Sequence, residues 1–377
     1  MFQRPSGGTA AILVGLDLGL QGYEESLAEL KLLASSCGID ARAVVQGRRN
    51  RPDASTFAGR GKVEEIKQSL EQFGARLAVF NHELTAGQER NLERSLGCKV
   101  MDRTSLILGI FAQRAKSHEG KLQVELAQLE YAATRLVRGW THLERQRGGI
   151  GLRGGPGETQ IEVDRRLISR RVKVLKDKLA KFKCQREVQR RSRSRGRVMS
   201  VSLVGYTNAG KSTLFNCLTK AGVLAADKLF ATLDTTTRRV YLPAAGAVVL
   251  SDTVGFIRDL PHSLVAAFRA TLEETVQAGL LLHVVDAASA TREQNIAEVN
   301  KVLEEIGAAG VPQILVWNKI DLNSTGPGLE RDEYGNISRV RLSAKTGDGV
   351  ETLRQALVEV VTSRNSSAIQ LAALQTA

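Results

Sequence analysis

The eight residues GYTNAGKS, Gly205 to Ser212, limit the fold of this chain more than any other stretch. They follow the strand-like VMSVSLV and run straight into the helical TLFNCLTKA, so the GxxxxGK[ST] spacing stands in a strand-loop-helix setting. Glycine at 205 and 210 lets the intervening backbone, through Tyr206, Thr207, Asn208 and Ala209, turn its N–H groups onto a phosphate at the positive end of the next helix. Lys211 is placed to span the β- and γ-phosphates, and is the side chain here best suited to stabilise charge in the reaction. Ser212, with Thr213 behind it, offers a hydroxyl to Mg²⁺, which prefers oxygen ligands. The expectation is an α/β domain with a Ras-like phosphate-loop sheet.

Three later elements, in order, point to a guanine nucleotide, GTP or GDP. LVWNKID ends a strand. Its Asn318 and Lys319 are expected to flank the base, with Ile320 behind, while the Asp321 carboxylate accepts from the guanine ring N–H and exocyclic amine. Adenine presents an acceptor there and would leave that carboxylate unpaired. Ser343, Ala344 and Lys345 would close the base pocket through backbone contacts. Between these motifs lies Asp252-Thr253-Val254-Gly255, where Asp252 would reach Mg²⁺ through water and the Gly255 N–H would sense the γ-phosphate. The next position is Phe256, which can neither donate to nor accept from an attacking water, so hydrolysis without outside help is expected to be slow. A switch hydroxyl for Mg²⁺ should come from FATLDTTTRR, whose Phe230, Ala231, Leu233 and Asp234 surround Thr232. Spacing alone leaves Thr232, Thr235, Thr236 and Thr237 equivalent. Asn208 is a candidate for holding a monovalent cation such as K⁺ near the phosphates.

Charge divides the rest of the chain. Residues 113–197 carry 23 Lys and Arg against 9 Asp and Glu, which accounts for the whole excess of the +13 chain. A field that localised suits a polyanion. Within it Leu122, Leu126, Leu129, Ala133, Leu136, Trp140 and Leu143 recur at three- and four-residue steps, as do Ile168, Val172, Leu175, Leu179 and Phe182. Two such seams predict an antiparallel helical hairpin, with arms of roughly 25 to 30 residues and the glycine-rich run Gly148–Gly157 at its tip. Arg165, Arg166, Arg170, Arg171, Lys173, Lys176 and Lys178 coat the second arm. RRSRSRGR after it reads as a basic linker.

Residues 1–112 alternate strand-like and helical runs, as in a small parallel α/β domain. FAGRGK at Phe57 matches only a fragment of a phosphate loop and carries little weight. The expected division is therefore 1–112, 113–197, a GTPase domain over 198–362, and a tail of one or two helical turns over 363–377. Four scattered cysteines form no zinc or disulfide pattern and favour a reducing cytosol. The N-terminus lacks a signal pattern, and no apolar run is long enough for a membrane span. A cytoplasmic, monomeric protein is expected.

On HEGKLQVELAQLEYAATRLVRGWTHLERQRGGIGLRGGPGETQ, FATLD and DTVGFIRDLPHSLVAAF, the chain resembles the HflX family of ribosome-binding GTPases over nearly its whole length. The resemblance implies action on the large (50S) ribosomal subunit and its RNA, with separation of stalled 70S particles under stress. It implies Thr232 as the switch residue on Mg²⁺, and a hydrophobic residue at Phe256. It also implies that the hairpin tip, flanked by Arg145, Arg147 and Arg153, enters an RNA cavity near the peptidyl-transferase centre. RGGPGE carries one glycine more than the family's RGPGE, and the residues after Thr362 are too few for the further domain many relatives carry. A different reading is an RNA-binding or remodelling module that its GTPase domain only regulates.

Overall fold

The computed structural model describes residues 8–19, 22–139, 156–195, 198–220, 229–258, 272–323 and 325–375. The chain divides into two compact units, the first running to Phe182 and the second starting at Lys183.

In the first unit, β1 (Thr9–Asp17), β2 (Ile39–Arg48), β3 (Leu77–Phe80) and β4 (Lys99–Met101) form a parallel sheet in the order β2-β1-β3-β4. Strand β1 is buried continuously from Ala11 to Val14, as expected of a parallel strand covered on both faces. The crossovers are α1 (Tyr23–Ser36), α2 (Arg60–Gln72) and α3 (Ala86–Leu96), and α4 (Arg103–Arg114) follows β4. Local chemistry sets the boundaries of α3: Thr85 and Gln88 form a capping box, and Gly97 ends the helix in the left-handed conformation. In FAGRGK the Ala58 carbonyl accepts from Arg49, while the Lys62 ammonium donates to the Gln46 carbonyl at 2.7 Å and pairs with Glu65 at 2.6 Å. Its lysine is thus tied back to β2.

Helices α5 (His118–Gly139) and α6 (Pro156–Arg195) are the expected hairpin arms. Leu122 and Leu126 meet Leu175 in a buried cluster, with Leu129, Val172, Leu179 and Phe182 packed against it. His118 lies edge-on to Phe182, so the arms run antiparallel. Glu125 pairs with Arg171 and Glu130 with Lys176, which neutralises part of the arm's charge, whereas Arg165, Arg166, Arg170, Lys173 and Lys178 are exposed. Residues 140–155, with Trp140, Leu143, the three flanking arginines and most of the glycine run, lie outside the described residues. One expectation is corrected. RRSRSRGR is helical through Arg195 rather than a linker, because the arginine- and serine-rich run contains no residue that breaks a helix before Gly196.

A buried polar cluster fixes α5 to α3 and α4. The Asp102 carboxyl caps α4 by accepting from the Ser105 N–H at 2.8 Å, and accepts also from the Leu84 N–H (3.2 Å), the Tyr131 hydroxyl (2.8 Å) and Arg135 (2.6 Å). Arg135 also pairs with Glu89 at 2.7 Å.

The second unit is a seven-stranded mixed sheet in the order β10-β11-β9-β8-β5-β7-β6. Its strands are β5 (Met199–Val204), β6 (Thr236–Leu242), β7 (Gly246–Asp252), β8 (Leu280–Asp286), β9 (Gln313–Asn318), β10 (Gly328–Arg331) and β11 (Ile337–Arg341). The two edge strands are antiparallel to their neighbours and the inner ones are parallel. Helices α7 (Lys211–Thr219), α8 (Arg292–Glu305) and α9 (Val350–Gln375) accompany them. The tail after Thr362 is not a separate turn or two but the continuation of α9, since SRNSSAIQLAALQ holds neither glycine nor proline. The core gathers Val201, Leu203, Leu214, Phe215, Leu282, Val316 and Leu353 beneath the loops at the carboxyl ends of the parallel strands. Ligands bind there in open α/β sheets.

Candidate functional site

Gly205 to Gly210 connect β5 to α7, and sterics dictate the glycines. Gly205 has φ +146°, and a Cβ on it would come 2.2 Å from the Val284 carbonyl oxygen. Gly210 has φ +93° and packs on the Asn318 amide. Lys211 folds back over the loop, its ammonium donating to the carbonyls of Gly205 (3.0 Å) and Tyr206 (2.7 Å). Burial pushes this lysine down to about 8, against the opposing pull of Asp252. An ammonium so poorly solvated gains strongly from any anion placed beside it.

Next to it Ser212, Thr232 and Asp252 converge. The Ser212 hydroxyl donates to Asp252 Oδ2 at 2.7 Å, the Thr232 hydroxyl donates to the same oxygen at 2.9 Å, and the two hydroxyls lie 2.7 Å apart. Burial raises the Asp252 carboxyl, opposed by these hydroxyls and Lys211. Asp252 Oδ1 is buried without a hydrogen-bond partner. Three oxygen donors with an orphaned carboxylate oxygen are the donor set that Mg²⁺ prefers, so the residues present fit that ion. Spacing could not separate the four threonines of FATLDTTTRR. The fold does: Thr232 reaches this cluster, whereas Thr236 and Thr237 enter β6 and Thr237 faces Ser251 at 3.2 Å. A cavity lined by Thr207, Asn208, Lys211, Ser212, Phe230, Thr232 and Gly255 opens beside the three.

Thr207 and Asn208 occupy the loop's rim, Asn208 exposed at φ +60° and Thr207 buried with its hydroxyl unpartnered. Tyr206 accepts from the Arg258 N–H at 2.8 Å, and Ala209 and Thr213 lie behind the loop. Phe230 is buried at φ +54°, Ala231 lines the cavity, Leu233 is buried and Asp234 half-buried. Thr253 donates to the Leu203 carbonyl at 2.6 Å, Val254 is buried, and Gly255 lies close enough to Thr207 that a Cβ would meet its methyl at 2.8 Å. Phe256 is 1 % exposed, and its backbone is strapped to the phosphate loop: Thr207 N–H to the Phe256 carbonyl at 2.7 Å, Phe256 N–H to the Gly205 carbonyl at 3.1 Å. Its ring serves the core.

The base-side residues meet at the end of β9. Asn318, expected to flank a base, also ties two loops together: it donates to the Ala209 carbonyl at 2.9 Å and accepts from the Ala344 N–H at 2.9 Å. Its side chain thus braces two loops. Lys319, at φ +67°, pairs with Asp286 at 2.8 Å. Asp321 is exposed, and its Oδ1 accepts from the buried Ser343 hydroxyl at 2.6 Å, which leaves Oδ2 for a ligand. Ile320 is buried beneath and Lys345 exposed. Asp286 escaped the sequence reading; its signal is an acid ending the apolar run LLLHVVD.

Comparison with known proteins gives this geometry a context. Residues 24–112 match a family model described as GTP-binding GTPase N-terminal, residues 114–193 its GTPase middle region, and residues 200–319 one described as 50S ribosome-binding GTPase. A protein of Escherichia coli named GTPase HflX is 56 % identical over 360 residues, covering 95 % of this chain and 84 % of that protein. One of the same name from Magnetococcus marinus is 52 % identical, covering 89 % and 77 %. A crystal structure described as SsGBP in complex with GDP aligns over 94 % of this chain and 99 % of its own, with a TM-score of 0.53 and 25 % identity. No helix among the described residues is long and apolar enough to cross a membrane.

Proposed function

This chain belongs to the HflX family of GTPases and is a GTP hydrolase, and from that premise we propose that it acts on the large ribosomal subunit, separating stalled or idle 70S ribosomes under stress in the cytoplasm. The observation that carries the enzymatic part is the convergence of Ser212, Thr232 and Asp252 beside the buried Lys211. What carries the ribosomal part is the description of the matched family together with the exposed cations of α6.

Gly205 to Ser212 cradle the phosphates, and Lys211 exchanges its two carbonyl acceptors for β- and γ-phosphate oxygens. Ser212 and Thr232 would hold Mg²⁺ directly and Asp252 through water, and the ion held there would supply positive charge against the charge that develops in the reaction. Asp321 reads the guanine edge, oriented by Ser343, while Asn318 keeps the phosphate loop and the Ser343–Lys345 loop in register. Asn208 sits at the rim where a K⁺ would add positive charge. The exposed α6 arginines ride along ribosomal RNA phosphates and carry the glycine tip to its cavity.

Because the Phe256 side chain is buried and has no polar atom, this position cannot orient the attacking water. Hydrolysis by the isolated protein should therefore be slow, and purified large subunits should raise it by at least about 100-fold, the scale on which a supplied orienting group acts. Rates measured with large subunits, with naked ribosomal RNA and with neither decide the matter. Equal rates with and without subunits would remove the ribosome from the mechanism, and full stimulation by naked RNA would favour an RNA-remodelling module.

The glycine tip gives a second test. Replacing Gly148 to Gly157 with a short turn should leave the Leu122–Leu126–Leu175 seam folded and nucleotide affinity intact, while ribosome splitting is lost. Salt-dependent binding to large subunits should largely persist through Arg165, Arg166, Arg170 and Lys173. Normal splitting by this variant would reduce the run to a connector.

A further inference from the structure

Strands β9 and β11 are parallel neighbours, and parallel neighbours are ordinarily joined by a crossover helix that covers one face of the sheet. Here the described residues between them hold a single 3₁₀ turn (Ile320–Leu322) and β10, but no α-helix. Apolar cover on the other face comes from α9, whose Val350, Leu353 and Leu357 pack in the core with Val340 and Leu342. The register places Arg339 opposite Leu315, Arg341 opposite Trp317 and Glu330 opposite Arg339, on the side of the sheet to which α8 brings its first residue, Arg292.

This face is built from cations. The Trp317 ring is sandwiched between two guanidinium groups, Arg292 at 4.3 Å and Arg339 at 3.9 Å from its centroid. Arg341 completes the set. The acids on it are Glu330, which pairs with Arg339 at 2.9 Å and Arg341 at 3.6 Å, and Glu293, beside Arg292 at 3.2 Å. The side chains of Arg292, Arg339 and Arg341 remain about 30 % exposed (29 %, 31 % and 31 %). Trp317 Nε1, Arg339 Nε and Arg341 Nε are buried with no hydrogen-bond partner. Those nitrogens are shielded from any ligand, and Arg292 also donates to the Ala287 carbonyl at 3.3 Å. What the face turns outward is the exposed remainder of three guanidinium groups against two carboxylates, held in place by stacking.

We infer that this sheet face, Arg292–Trp317–Arg339–Arg341, is a docking surface for the phosphate backbone of RNA in the large subunit, separate from the nucleotide pocket and the hairpin. Three cations against two carboxylates leave the face net positive, and the exposed ends of the guanidinium groups suit phosphate oxygens, which they pair with in bidentate fashion. Guanidinium groups aligned by an aromatic ring lose little freedom on binding. An acidic protein surface would supply carboxylates instead, and is the competing occupant. The inference rests on the ribosome-binding reading above.

The test measures affinity for purified large subunits at several salt concentrations, using the full chain and three variants. Arg339→Gln/Arg341→Gln should retain GTP affinity and make the slope of log affinity against log salt shallower by about two, one for each lost phosphate contact. Glu330→Gln, which frees both arginines, should steepen the slope or tighten binding at low salt. Arg42→Gln, on β2 of the first unit, serves as a control for loss of charge elsewhere and should change nothing. Wild-type chain that fails to bind subunits would sink the ribosomal reading itself. Wild-type binding with an unchanged slope in the double variant would overturn the RNA face alone, as would weakened binding at constant slope, the outcome expected of a protein partner.

Discussion

Asp321→Asn should lower GTP affinity by about 100-fold, roughly 3 kcal/mol, and move preference to xanthosine triphosphate. Ser343 already donates to Asp321 Oδ1, so in the variant the amide oxygen stays with that hydroxyl and the amide nitrogen faces the ligand. Guanine presents two donors to it, and donor then meets donor. Xanthine has a carbonyl where guanine has its exocyclic amine, and the pairing is restored. Competition between the two triphosphates reads the result directly. GTP affinity within threefold of wild type would show that Asp321 is not the group that reads the base. Ser343→Ala should give a smaller loss of the same kind, because the carboxylate keeps its charge but loses its orientation.

The second large effect lies in the first unit. Asp102→Ala should destabilise that unit by about 3 to 5 kcal/mol, the cost of breaking a buried ion pair together with a helix cap. Against a typical domain stability of roughly 5–15 kcal/mol, this approaches unfolding. Asp102 is fully buried, and the substitution strands a backbone N–H at Leu84 and another at Ser105, the Tyr131 hydroxyl and one arm of Arg135. Asp102→Asn, which keeps the shape and some of the acceptors, should cost less. Urea unfolding followed in a fragment ending at Phe182, where the first compact unit ends, provides the measurement. A loss under 1 kcal/mol for the alanine variant would mean that α5 is held by its apolar contacts alone.

Legibility in the sequence followed the distance over which the relevant physics acts. GYTNAGKS, DTVG and NKID could be read because each is a contiguous piece of backbone whose residues serve one ligand, and the hairpin seam because its period is local. The parallel sheet of the first unit was legible for the same reason, from alternating strand and helix runs. Thr232 was not separable from its neighbours by spacing, since what distinguishes it is the meeting with Ser212 and Asp252, each 20 residues away. The bracing role of Asn318 was not legible because its two partners, Ala209 and Ala344, are remote in sequence. The long continuations of α6 and α9 were underestimated for a different reason. Charge density and small polar residues suggested disorder and a short tail, but nothing in those segments stops a helix.

The Asn318 amide has a kinetic consequence. One side chain holds the phosphate loop at Ala209 and the base loop at Ala344, with Gly210 pressed against it. Opening either loop strains the shared amide, so the two ends of a nucleotide should loosen in concert rather than in sequence. An exchange factor would then need no grip on the phosphates. Prising the base loop by the width of one hydrogen bond would also slacken the cradle on the far side, and a spent diphosphate would leave in a single step.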